Sequence, residues 1–161
     1  MEELTLRHGS GGLVIRGLGE PTAVLHPSAS MRRGKIKTSA GTLPIEVNDP
    51  WRSGATLTGT GGRPILRLDP RASSLPDSRQ PAQWQVRRGW GGYSATLSRG
   101  GDRIELRLPR LHGKGVQLQV TGRWGTQLEL ILLAACFALL ARRRGDTFRA
   151  MAVVGATGHG H

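Results

Sequence analysis

One stretch limits this chain more than any other: residues 130–141 read Leu-Ile-Leu-Leu-Ala-Ala-Cys-Phe-Ala-Leu-Leu-Ala, twelve in a row without a charged or strongly polar side chain. Most of these residue types are good helix formers. Residues 126–144 therefore read as one hydrophobic helix, with Arg142, Arg143 and Arg144 on the negative end of its dipole and Gly145 as its stop. A helix apolar all round must be buried on every side, by protein or by lipid. Spanning a bilayer takes about 20 residues, and here Gln127 and Glu129 stand just ahead of a shorter run. Trp124 before it and the arginine triplet after it do imitate an aromatic belt and a positive flank. A membrane anchor over 126–144 is thus the alternative to a buried core helix.

A core helix needs strands on all sides, and the first 120 residues supply candidates. Short runs rich in β-branched or alternating residues lie at 4–7, 13–16, 23–26, 35–38, 43–47, 55–58 and 65–68, then at 83–87, 93–98, 103–108 and 116–120, separated by Gly, Pro, Ser and Asp turn signals. Residues 104–108 and 116–120 alternate strictly, so each such strand has one apolar and one polar face. Residues 69–81, with Pro70, Pro76, Ser73, Ser74 and Ser78, keep neither period and read as a long connection between a first β half (1–68) and a second (82–122). Residues 145–161 read as a glycine-rich tail or as a last strand at 150–154. The fold expected is a single mainly β domain, an antiparallel barrel of about 11–12 strands with a hydrophobic C-terminal central helix. In such a barrel Leu132, Leu133, Phe137 and Leu140 should be enclosed.

The order of two β halves, an alternating last strand and a hydrophobic helix resembles the tubby C-terminal, LURP-one-related and phospholipid-scramblase-like superfamily. Val116-Gln117-Leu118-Gln119-Val120-Thr121-Gly122-Arg123-Trp124, followed by residues 128–144, carries the likeness. The resemblance implies a barrel of about twelve strands around a central helix, and a function at phosphoinositides or membranes. It assigns no binding residue here.

Charge bears on the partner. Lys and Arg number 23 against 11 acidic residues, a formal net charge of +12, which favours polyanions such as nucleic acid or acidic lipid headgroups. Residues 1–50 are nearly balanced, so the excess belongs to the later part. Lys35, Lys37 and Lys114 are the only lysines; an arginine-dominated surface suits bidentate phosphate contact, although arginine-biased composition alone would produce it. Arg87, Arg88, Arg99, Arg103, Arg107 and Arg110, on neighbouring strands of the second half, are the candidates for an anion-binding surface. Trp84, Trp90 and Tyr93 lie among them and could stack or enter a lipid interface, but Trp84 alternates with Val86 as a core residue would.

Other motifs carry less. The stretches Gly9-Ser10-Gly11-Gly12, Gly59-Thr60-Gly61-Gly62 and Gly89-Trp90-Gly91-Gly92 lack the helix and Lys-Ser/Thr of a phosphate loop and read as hairpin turns. His8, His26, His112, His159 and His161 have no metal-ligand spacing beyond the terminal pair, so no metal and no cofactor is expected. Cys136 lies in the apolar run and should be inert, which fits a reducing compartment, and the acidic start is unlike a secretory signal. The expected function is a non-enzymatic, cytoplasmic binding domain for an anionic partner, such as an acidic lipid or membrane surface. The alternatives are a structural or assembly protein meeting nucleic acid or a partner subunit, and a single-pass membrane protein.

Overall fold

The computed structural model describes residues 2–49, 54–76, 78–110 and 115–158. Seven strands come first: β1 (Glu2–Gly9), β2 (Gly12–Arg16), β3 (Ala23–Pro27), β4 (Arg33–Thr38), β5 (Gly41–Val47), β6 (Ala55–Thr58) and β7 (Pro64–Leu68). Four more follow, β8 (Gln83–Gly89), β9 (Gly92–Arg99), β10 (Asp102–Pro109) and β11 (Val116–Thr121), and then α1 (Leu128–Gly158). Every run read from alternation is a strand. The three glycine-rich stretches are turns between β1 and β2, β6 and β7, and β8 and β9. At Gly92 the turn demands glycine: its φ is +129°, and a Cβ there would lie 2.2 Å from the Leu108 carbonyl oxygen.

The strands form one sheet, in which those of residues 1–68 and those of residues 82–122 each stay contiguous. Each pairs antiparallel with its chain neighbour, and β1 pairs with β11, giving the order β7-β6-β5-β4-β3-β2-β1-β11-β10-β9-β8. Both ends of that order face each other across a seam. A ring of antiparallel neighbours needs an even number of strands, and eleven would leave β7 and β8 running the same way. The connection supplies the missing direction. Ser74 pairs antiparallel with Arg67 of β7, exchanging two hydrogen bonds of 2.9 Å, and Ser73 bridges antiparallel to Ala82 just before β8. Asp69 fixes this segment: its N–H donates to Ser73 Oγ at 2.9 Å, and Ser73 Oγ donates back to its carbonyl at 2.8 Å. The barrel is thereby nearly closed, with the 69–81 connection as its latch.

Alternation turns one row of each strand inward. Leu25, Ile36, Ile45, Leu57, Leu66, Leu68, Trp84, Leu97 and Ile104 are fully enclosed. Trp84 is core, and its indole N–H has no acceptor among the described residues, so apolar burial alone holds it. The helix fills the lumen: residues 131–139 are each at most 1 % exposed, and α1 packs against β2, β3, β5, β6, β7, β9 and β10. Glu129 in its first turn is tied to the β2–β3 loop, accepting from the Thr22 N–H at 3.0 Å and from the Thr22 hydroxyl.

Three expectations need correction. The segment offered as a membrane anchor is consumed as barrel core, and among the described residues no helix is long and apolar enough to cross a membrane. Leu140 is half-buried, unlike Leu132, Leu133 and Phe137, because it lies where the helix leaves the barrel. Gly145 does not stop the helix, nor do residues 150–154 form a strand: α1 runs on to Gly158. Gly145 is buried and is not in the left-handed conformation of a helix stop. The next residue, Asp146, bonds back to Arg142 at 3.3 Å and holds the turn, while a tail strand would find both sheet edges occupied by the latch. Residues 159–161 lie outside the described part.

Candidate anion-binding site

The barrel has two unlike ends. At the base, where α1 begins, Arg99 is spoken for: its guanidinium lies 4.7 Å from the Trp124 ring centroid, donates to the Arg123 carbonyl at 3.1 Å and stands 3.9 Å from Asp102. Only 12 % of its side chain is exposed. It braces the base and offers little to a partner.

Arg87, Arg103 and Arg107 point outward, as alternation implied. Arg87 and Arg107 flank Ser94 in one cross-strand row, about 10 Å apart at two strand spacings. Arg103 pairs with Glu105 at 3.0 Å on the exposed face, worth about 0–1 kcal/mol. This wall is a dilute positive surface interrupted by a carboxylate.

Arg88 and Arg110 belong elsewhere, and alternation explains why. Arg88 continues the inward row of Trp84 and Val86, and Arg110 that of Leu106 and Leu108, each one step past the last covered position. Both therefore rim the mouth through which α1 leaves the barrel. His8 ends the inward row of Leu4 and Leu6 in the same way. The helix adds Arg142, Arg143 and Arg144 at this mouth. Five arginines from three elements thus gather at one end, and the six candidates from sequence divide between mouth, outer wall and base.

The helix turns two faces to the rim. On one, the Tyr93 hydroxyl donates to Asp146 Oδ2 at 2.8 Å, and Arg142 Nε reaches Oδ1 of the same carboxylate at 3.3 Å. Burial, first, and the proton held against Asp146, second, push the Tyr93 phenol above its ordinary range; the charges of Arg88 and Arg142 oppose this. On the other face, Leu140, Arg143, Arg144 and Thr147 follow one another at helical spacing beside a cavity that also touches His8 and Arg110. Among the described residues no carboxylate lies within ion-pair distance of Arg88, Arg110 or Arg143.

Trp90 completes the mouth. It sits at the tip of the β8–β9 turn, 95 % exposed, and the next residue, Gly91, accepts the Arg110 N–H at 2.8 Å. Sequence reading left out His8, which lies far from the second half in the chain, and Arg142, Arg143 and Arg144, which it assigned to the end of the helix. Cys136 is fully buried, and burial pushes its thiol well above the usual range, so it stays protonated. Among the described residues no group of three His, Cys, Asp or Glu side chains is placed to hold a metal; His112, His159 and His161 lie outside that part. No protein family, curated protein or solved structure matches the chain.

Proposed function

We propose that this chain is a non-enzymatic binding domain of the cytoplasm that meets acidic lipid headgroups at a membrane surface through its helix-exit mouth. The observation that carries the reading is the gathering of Arg88, Arg110, Arg142, Arg143 and Arg144 beside the 95 % exposed Trp90. Guanidinium groups match phosphate oxygens bidentately, and tryptophan favours the headgroup level of a bilayer. The tubby-like and scramblase-like resemblance of the last strand and helix points the same way. At about 1 kcal/mol per arginine near an acidic surface, and with the charge of Arg142 offset by Asp146, the cluster supplies roughly 4 kcal/mol, a dissociation constant of about a millimolar in accessible lipid. Such binding is reversible, weakened by salt, and in need of Trp90.

Flotation with phosphatidylserine vesicles and with neutral phosphatidylcholine vesicles tests this. The protein should float with the acidic vesicles at low salt and lose them as salt rises. Equal recovery with both vesicle types would overturn the lipid reading. Retention of duplex DNA exceeding that of acidic vesicles at equal salt would shift the partner to nucleic acid.

A further inference from the structure

We propose that the cavity beside α1 at the mouth binds one single-chain anionic amphiphile, its alkyl chain inward and its head among the arginines. The inference deepens the reading of the mouth and rests on it for the sign of the ligand's charge. The cavity is about 620 Å³, within the roughly 300–1,000 Å³ of small-molecule sites. Its floor is apolar, formed by Leu6, Leu13, Leu108, Val116 and Leu140, while His8, Arg110, Arg143 and Arg144 lie towards its rim. Depth and chemistry run in order along the helix. Along the helix Leu140 is deepest, Arg143 and Arg144 stand about 4.5 and 6 Å further out at 1.5 Å per residue, and Thr147 is at the lip.

Two larger cavities lack this order. The one at the latch, about 780 Å³, is lined by Asn48, Asp69 and Ser73, which already bond to one another's neighbourhood through the Leu68 carbonyl and the Asp69 backbone. The one at the base, about 680 Å³, has Thr22 and Glu129 joined to each other and no arginine in its wall. At the mouth, by contrast, Asp146 turns towards Tyr93 and Arg142, leaving the Arg110 and Arg143 side without a carboxylate among the described residues. Met31 also borders the cavity, and its backbone is held at φ 57°, a conformation that a non-glycine residue adopts only when its surroundings impose it. A pliable thioether suits contact with an alkyl chain.

Calorimetric titration with monomeric dodecanoate, without vesicles, tests the site against the neutral dodecyl maltoside of equal chain length. Dodecanoate should bind one to one, and the maltoside about tenfold more weakly, the worth of one charged hydrogen bond. Arg143→Gln with Arg144→Gln should erase that preference. Thr147→Trp, at an exposed helix position, should abolish dodecanoate binding by filling the lip while the melting midpoint stays as in the parent. Equal affinity for both amphiphiles, or dodecanoate binding untouched by Thr147→Trp, would overturn the inference. Flotation on acidic vesicles with no dodecanoate binding sinks the cavity site alone; loss of both sinks the mouth reading with it.

Discussion

Truncating Phe137 measures how much the central helix contributes. Phe137 is fully enclosed in the middle of α1, and the strands around it are hydrogen-bonded into a ring that cannot collapse onto a void. Loss of a buried phenyl costs about 3–5 kcal/mol through lost transfer and cavity formation, and the constrained site places Phe137→Ala towards the upper end. For a chain of this size each kcal/mol moves the melting midpoint by about 2–4 °C, so a fall of about 6–20 °C is expected. That is a large share of a total stability of about 5–15 kcal/mol. Leu140→Ala, at a half-buried position on the mouth, is the internal control and should cost about 1–2 kcal/mol. The assay is thermal and urea unfolding of detergent-free, monodisperse protein. A Phe137→Ala midpoint within about 3 °C of the parent, or no lower than that of Leu140→Ala, would refute the enclosed-helix reasoning.

Further outcomes follow from particular contacts. Cys136, buried and with its thiol pushed up, should not react with a thiol reagent at pH 8 until denaturant is added; labelling of native protein would contradict the packing. Ser74→Pro removes an N–H that bonds Arg67 at 2.9 Å and should open the latch, raising amide exchange in β7 and promoting association through the freed edges, as read by exchange mass spectrometry and light scattering. Unchanged exchange in β7 would show that the bridge does not close the barrel. Tyr93→Phe should cost about 1 kcal/mol at neutral pH by losing the bond to Asp146. The fold raises the Tyr93 value above its unfolded value of about 10, so this stabilisation is whole below pH 10 and lost as pH rises through the folded value. The gap between parent and variant midpoints should therefore shrink in alkali, and a constant gap would contradict it.

The strands were legible because period-two alternation and glycine turns are local signals, and their lengths sufficed to count them. The latch was not. Ser73 and Ser74 are a two-residue pairing between prolines, too short for any period, although the odd count of eleven strands already demanded one more. Gly145 and the arginine triplet mimic a helix end; only the contact of Asp146 with Tyr93 on β9 shows that the helix continues. The mouth escaped a reading by sequence neighbourhood because its cations come from β8, from the end of β10 and from α1. A signal did exist: Arg88, Arg110 and His8 each extend an inward-facing row by one step, and a charged residue there has to emerge at an open end.

The most direct test of the mouth as the binding surface holds net charge constant and changes only its place. One variant carries Arg88→Gln, Arg110→Gln and Arg143→Gln at the mouth; the other carries Arg87→Gln, Arg103→Gln and Arg107→Gln on the outer wall. Each loses three positive charges from a chain of formal charge +12. Flotation with phosphatidylserine vesicles at low salt should be lost by the mouth variant and kept by the wall variant. Equal loss by both, or greater loss by the wall variant, would contradict the mouth and leave only the overall charge of the chain as the attraction.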